Sequence, residues 1–449
     1  MNKKPHFIIQ FVCISAVLAA ILLQSFTHIV KMNPLKGFDK EEHPPVELSF
    51  KTYYDGSYQD YLTEHAKRNT GFREFFIRNY NQVAYSCFNT ITNKNIVKGR
   101  DQELYLKMYL NEATGVTFKQ HFADVDEAKA EARKNVEETL RLIDTLHQHG
   151  KAFLFVFAPT KPAVYPDKLP SYYKNHLFDF SLEEYYIQLF MENHIPHIDF
   201  YHNFQDIRDT FPYPLYPRTG THWSEATIPY VADSVLKKLA EITGYKLPSV
   251  HYIDDNLSTD YSVQDGELEA SMNLLFPLNK PAIPRPVFEL TDTVGTDKPN
   301  LLVVADSYFT QLRISPFVEA FNNWDCWVYN RDVNSSRKQF EGKSLKWLIE
   351  APEVLEGADI VMAVFTAPML YTYMFDFNHT ALELFEKGHF SEAEAIEMTI
   401  QRIKDNPKWM QAIEKQAQER GISIEENLRK NAIYIIKTDQ KKGDQAKPE

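Results

Sequence analysis

Two short segments of the 449-residue chain hold a hydroxyl and an imidazole where chemistry can use them. Leu302–Phe309 reads L-V-V-A-D-S-Y-F: the tail of an apolar run, then Asp306 and Ser307, then a predicted helix from Phe309 to Phe321. A serine in that turn has its backbone N–H near a helix amino end, where a developing oxyanion is stabilised. The same residues also suit an Asp-Ser turn that only caps the helix. Tyr216–Ser224 reads Y-P-R-T-G-T-H-W-S and sets His222 in a loop two residues ahead of an amphipathic helix. An imidazole so placed serves as a general base, its ring facing a pocket while the helix fixes its backbone. Alone, such a histidine is more often a hydrogen-bonded surface residue; with Ser307 it makes the minimum set for activating a hydroxyl nucleophile. Asp306, Lys161, Arg218 and Trp223 are the oxyanion or pocket candidates around the pair. Lys161 directly follows a strand end, and Trp223 either stacks on a sugar ring or packs beneath the helix.

These residues need elements to carry them. Ala152–Ala158 (A-F-L-F-V-F-A), Asn300–Ala305 (N-L-L-V-V-A) and Asp359–Phe365 (D-I-V-M-A-V-F) are continuous apolar runs, as expected of parallel strands covered on both faces. Ile195–Phe200 is a shorter strand. Between them, Asp126–His149 repeats Val136, Leu140, Ile143 and Leu146 at helical spacing and stops at Gly150, and Leu182–Asn193 is a second helix. A third begins after Ser224, its predicted cap, and presents Ile228, Val231, Val235, Leu239 and Ile242 before Gly244. The alternation predicts an α/β fold, a mostly parallel sheet flanked by helices, with ligands at the carboxyl ends of the strands. The aromatic run Met369–Phe375 comes after the last of these strands, where it either lines a groove or plugs the core. Glu392–Lys404, Pro407–Arg420 and Ile424–Lys437 read as three helices of a carboxyl-terminal tail, the second starting at Asn406-Pro407, and the polar residues from Thr438 read as frayed.

Composition removes several classes. Lys and Arg number 49 against 61 Asp and Glu, a net charge of −12, which argues against a general nucleic-acid binder. Apolar residues at 44% and charged residues at 24% suit a chain that buries a full core. Cys13, Cys87 and Cys326 make no disulfide framework, and no Cys/His cluster, Walker loop or GxGxxG after a strand is present, so neither metal nor cofactor is expected. Phe7–Phe26 (FIIQFVCISAVLAAILLQSF) is long enough for a membrane helix. Its length and the absence of a small-x-small site after it favour an uncleaved single-pass anchor over a cleaved signal peptide.

Four segments then recur in a familiar order. Val97–Tyr105 resembles the pattern G-x-D-G-W-L-F/Y, Ala158–Pro166 fits A-P-x-K-x-x-x-Y-P, Gly220-Thr221-His222-Trp223 stands where D-x-H-W is expected, and Ala305-Asp306-Ser307-Tyr308 resembles G-D-S-F with Ala for Gly and Tyr for Phe. In these the chain resembles the SGNH-hydrolase-like periplasmic proteins related to the alginate O-acetyltransferases AlgJ and AlgX. The likeness runs from about Phe72 to Phe375. It implies an extracytoplasmic O-acetyltransferase that moves an acetyl group to hydroxyls of a polysaccharide through an acyl-serine at Ser307, with His222 as base. It further implies a membrane-bound O-acyltransferase partner as acetyl donor and an inner-membrane location with the main domain in the periplasm or outside the cell. The expected division is 1–30 anchor, 31–70 linker and opening segment, 71–376 acetyltransferase domain and 377–449 helical extension. One departure stands out: Gly220 takes the place of the family's acid. A Ser-His dyad, a carboxylate from elsewhere, or a protein without turnover all remain open, with Asp206, Asp209 and Glu225 nearest in sequence but each suited to be a solvated charge. A catalytically silent carbohydrate-binding or assembly scaffold and a simple acetylesterase are the alternative functions.

Overall fold

The buried central strands form where apolar residues run without interruption. In chain order the strands are β1 (Ile96–Lys98), β2 (Leu104–Leu106), β3 (Ala152–Ala158), β4 (His197–Asp199), β5 (Ser249–Ser258), β6 (Ile283–Thr291), β7 (Leu301–Ala305), β8 (Trp324–Val328), β9 (Asp332–Ser335) and β10 (Ile360–Thr366). This computed structural model describes residues 4–37, 46–292, 294–345, 350–388, 392–404 and 407–445. Residues 38–45 of the expected spacer, Asn406 and the last four residues lie outside the described set.

Contacts divide the chain into two units. The larger comprises residues 108–217, 222–260 and 282–449 and holds a six-stranded sheet in the order β4-β3-β10-β7-β8-β9. Its strands pair in parallel except β9, which runs antiparallel to β8. β7 and β10 are buried at every position, as continuous apolar runs in a doubly covered sheet must be. Register sets Thr366 beside Ala158 and Val364 beside Ala305, so the ends of β3, β10 and β7 open on one edge. The helix Val125–Gln148 packs on this sheet through Ala132, Val136, Leu142, Ile143 and Leu146, and Asp124 caps it by accepting the Glu127 N–H. An antiparallel ribbon of β5 and β6 and three carboxyl-terminal helices complete this unit.

The smaller unit comprises residues 1–107, 218–221 and 261–281. It contains the apolar helix Lys4–Thr27, the β1–β2 hairpin and the helix Glu267–Met272, with Ile96, Leu104, Leu268 and Met272 as its core. The carboxyl end of the apolar helix is built in: Ser25 Oγ accepts the Gly71 N–H at 2.7 Å, and a Cβ at Gly71 would collide with the Ile21 carbonyl. Residues 6–27 are long and apolar enough to cross a membrane, and within the span only Gln24, near its carboxyl end, is buried. The chain therefore carries one amino-terminal helix of the kind that serves as a single-pass anchor or a signal.

Four local expectations need correction. The strand predicted at Ile195–Phe200 shrinks to β4, because Pro196 has no N–H and Asp199 caps a helix starting at Phe200 by accepting the His202 N–H. The helix predicted at Phe309–Phe321 breaks into Phe309–Arg313 and a 3₁₀ turn Pro316–Ala320, since the residue before a proline is driven to extended geometry and Ser315 adopts it. Ser224 opens the 3₁₀ turn Glu225–Thr227 without capping a helix, its hydroxyl engaged with the Pro214 carbonyl and Thr227 Oγ1, and the helix proper is Ile228–Thr243. The tail expected to fray from Thr438 continues the last helix, Ile424–Gln445.

Candidate functional site

β7 delivers Asp306 and Ser307 at its carboxyl end. The Asp306 carboxylate is buried and ties two strand ends together: Oδ1 accepts the Tyr308 N–H at 2.9 Å, and Oδ2 accepts the Thr366 N–H at 2.9 Å and the Thr366 hydroxyl at 2.7 Å. Burial raises this carboxyl above its ordinary range, while those bonds and the nearby His222 pull it back. Asp306, expected on the oxyanion side, is thus an acceptor that fixes the turn carrying Ser307.

The second segment reaches the same edge on a pinned loop. Leu215 N–H donates to the Tyr165 hydroxyl at 3.0 Å, the Tyr216 hydroxyl donates to the Pro159 carbonyl, and Ser224 N–H donates to the Leu215 carbonyl at 2.8 Å. Lys161 is almost wholly buried at the end of β3 and donates its Nζ to the Pro217 carbonyl at 2.7 Å, holding the stretch that leads toward His222. Trp223 is also fully buried, its ring within 5.3 Å of Tyr308 and 6.1 Å of Phe200, so it packs beneath the site and presents no face to a sugar. Arg218 belongs to the smaller unit, where its carbonyl accepts the Leu104 N–H at 2.9 Å and its charge pulls down the pKa of Tyr261, which burial raises. In that unit Glu267 Oε1 accepts the Thr221 N–H at 2.8 Å, so a carboxylate is fastened to the residue preceding His222 in the chain. Asp206 and Asp209 are exposed.

Serine and histidine meet. His222 Nε2 lies 2.9 Å from Ser307 Oγ, and the imidazole packs on the Tyr308 ring with centroids 4.8 Å apart. For Nε2 to take the serine proton, the neutral ring carries its own proton on Nδ1. Tyr329, which the sequence reading missed, also acts on Ser307. Burial raises the pKa of its phenol, and its interactions with the Ser307 side chain and backbone act in the opposite sense. A phenol kept protonated beside the Ser307 amide can donate to an oxygen bound there. Tyr329 and Asn330 come directly after β8 in the left-handed region, φ 52° and 47°, a conformation common for asparagine but seldom adopted by tyrosine, and nothing in V-Y-N-R announces that both residues take it.

The aromatic run after β10 divides between the two roles expected of it. Leu370, Tyr373 and Met374 are core, whereas Tyr371 and Phe375 are half-buried on a cavity of about 500 Å³. Among the described residues no group of His, Cys, Asp and Glu is arranged to hold a metal ion.

A parallel sheet whose strand ends bring a serine hydroxyl onto an imidazole defines an α/β fold with the minimum set for activating a hydroxyl nucleophile. Residues 97–282 match the family described as "SGNH hydrolase-like domain, acetyltransferase AlgX". The matched span includes His222 and ends before Ser307. Among solved structures the chain is similar to the O-acetyltransferase domain of Pseudomonas putida AlgJ (14% identity, 64% of this chain and 99% of that one, TM-score 0.39). It is also similar to Pseudomonas aeruginosa AlgX (17%, 66% and 69%, TM-score 0.43) and to Bacillus cereus PatB1 (13%, 63% and 99%, TM-score 0.37). No curated protein matches it in sequence.

Proposed function

We propose that this protein is an extracytoplasmic, membrane-tethered O-acetyltransferase that acetylates hydroxyls of a polysaccharide through an acyl-serine. The observation that carries the reading is the 2.9 Å approach of His222 Nε2 to Ser307 Oγ at the open edge of the sheet. His222 takes the hydroxyl proton as Oγ bonds the acetyl carbonyl carbon of the donor, and the Ser307 amide with the Tyr329 hydroxyl receives the oxyanion. Collapse breaks the bond to the donor's leaving group, which departs with the proton from His222. A sugar hydroxyl then attacks the acyl carbon, His222 accepts its proton, the carbon–Oγ bond breaks and the proton returns to Ser307. Transfer prevails over hydrolysis only if the sugar hydroxyl is held against the acyl group, since water is always at hand. A membrane-bound O-acyltransferase in the inner membrane is the acetyl source that suits an uncleaved anchor, because tethering both raises their effective concentration. The Ser25–Gly71 bond supports an uncleaved helix, for cleavage after it would remove a partner of the folded smaller unit. In this reading residues 71–376 form the acetyltransferase domain, 31–70 the linker and opening segment, and 377–449 an extension.

A second reading, a silent carbohydrate-binding scaffold, draws on Gly220, since removing the acid's charge lowers kcat about 10⁴-fold in serine proteases. One experiment separates the readings. Full-length protein is incubated with p-nitrophenyl acetate, with and without acceptor oligosaccharides, and acetyl adducts are mapped by mass spectrometry. An adduct on Ser307 whose acetyl passes to sugar supports transfer, and passage to water alone indicates an esterase. Neither adduct nor turnover, with Ser307→Ala identical to the parent, leaves the scaffold.

A further inference from the structure

The cavity beside the Ser307 edge has a chemical character of its own. Its apolar wall is made of Phe122, Tyr371 and Phe375 and its polar wall of Glu127, Glu131 and Asp376. The Tyr371 ring is held between His121 and Phe122, with centroids 5.0 and 6.0 Å away, and stays half-buried, so part of it is open to a ligand. Glu127, Glu131 and Asn135 succeed one another at every fourth position of the helix Val125–Gln148 and therefore form a row with a step of about 6 Å. The cavity is linked toward the reacting serine through rings: Phe375 meets Tyr329 edge-on with centroids 5.2 Å apart, and Tyr329 follows β8, its N–H donating at 2.8 Å to the Ala305 carbonyl two residues before Ser307. Asn330 Nδ2 reinforces this link by donating to the Phe375 carbonyl at 3.0 Å and to Thr380 Oγ1 at 2.9 Å. The bonded segments each leave ordinary backbone geometry, with positive φ at Tyr329, Asn330, Met374, Phe375 and Asp376. Strain of this kind persists where packing enforces it and gathers at ligand clamps.

Charge decides what such a groove receives. Among the described residues, no lysine or arginine lines this cavity; Lys134 lies 3.8 Å from Glu131 in an exposed pair. A neighbouring cavity of about 460 Å³, sharing Asp376, adds Glu138, Glu383 and Glu386 against Arg141 and Lys387, and Lys387 is paired with Glu383 at 2.6 Å. A polyuronate would bring one carboxylate per ring into this row and meet like charge at each step, whereas sugar hydroxyls or ammonium groups donate to it. Aromatic faces suit the C–H faces of pyranose rings in either case. We infer that the acceptor is a polysaccharide without carboxylates, seated on Tyr371 and Phe375 with its hydroxyl or ammonium groups donating to Glu127, Glu131 and Asp376. This rests on the acyl-transfer reading for its meaning as an acceptor site.

The test is direct binding to the full-length protein in detergent, by calorimetry at about 0.15 M salt, using cellohexaose, a glucosamine hexamer and a mannuronate hexamer. At least one of the first two should bind about tenfold or more tighter than the mannuronate, as expected where like charges oppose. Their difference from each other tells whether hydroxyl or ammonium donors dominate. The triple variant Glu127→Gln, Glu131→Gln, Asp376→Asn, nearly isosteric and so expected to fold, should bring that ratio toward one. Tyr371→Ala should weaken binding of every probe about tenfold. Equal or tighter binding of the mannuronate, no binding of any probe, or a ratio unmoved in the triple variant would overturn the inference. The Ser307 adduct is scored separately: its absence defeats acyl transfer whatever the groove binds, and its presence with mannuronate preference defeats only the groove assignment.

Discussion

Replacing Asp306 with asparagine probes how the serine turn is held. The carboxylate accepts three bonds from buried donors: the Tyr308 amide at 2.9 Å and the Thr366 amide and hydroxyl at 2.9 and 2.7 Å. An asparagine has one acceptor oxygen. Turned toward Thr366 it keeps two bonds but sets its NH₂ against the Tyr308 N–H, orphaning a buried donor at about 1–3 kcal/mol. The two remaining bonds lose their charge assistance, about 1 kcal/mol each. Removing a charge that burial disfavours returns roughly 1 kcal/mol, leaving a net destabilisation of about 2–4 kcal/mol. That predicts a fall in melting temperature on the order of 5 °C. A shift of the Ser307 hydroxyl by about 1 Å would slow turnover of p-nitrophenyl acetate about a hundredfold. Thr366→Val removes one donor, should cost about 1–2 kcal/mol, and should combine less than additively with Asp306→Asn because the two share a bond. An Asp306→Asn protein that melts within about 1 °C of the parent and keeps its rate would refute this account of the turn.

Other changes test neighbouring parts of the site. Tyr329→Phe removes the hydroxyl beside the Ser307 amide and should lower kcat for the activated ester by about 10²-fold with little change in KM, measured by steady-state kinetics. Burial pushes the Glu112 carboxyl up to about 7. A proton held more tightly when folded stabilises fully below the unfolded value near 4.5 and is lost as pH rises through 7, so stability should fall by on the order of 3 kcal/mol over that window, read as a declining melting temperature, and Glu112→Gln should flatten the profile. Glu267→Ala frees the Thr221 amide and should slow ester turnover about tenfold by loosening the chain ahead of His222. Glu267→Gln keeps an acceptor there and should recover most of that rate; a glutamine variant as slow as the alanine variant would show that the charge itself matters.

Much of this was readable because the sheet writes itself plainly. Runs such as A-F-L-F-V-F-A and I-V-M-A-V-F-T suit only doubly buried strands, and a residue just past the carboxyl end of a parallel strand stands at the ligand edge, which is why Ser307 and Lys161 could be placed from spacing. The roles of the polar neighbours were less legible. Lys161, Trp223 and Asp306 look alike in sequence whether they face a ligand or a carbonyl, and only burial and bonding tell that they support the loops. Tyr329 left no signal, because its position depends on two successive left-handed residues and on pairing between β7 and β8. Glu267 was hidden by distance, 46 residues from the amide it binds.

The strand order carries a last consequence. β10, made near residue 360, lies between β3 and β7, which are made much earlier, so the two halves of the sheet have no common border until it arrives. Such non-local closure is slow, and the Thr366 donors that grip the nucleophile's turn come with the same late strand. A chain that has not reached that point carries Ser307 on an unfinished half-sheet, without the Thr366 donors that fix its turn.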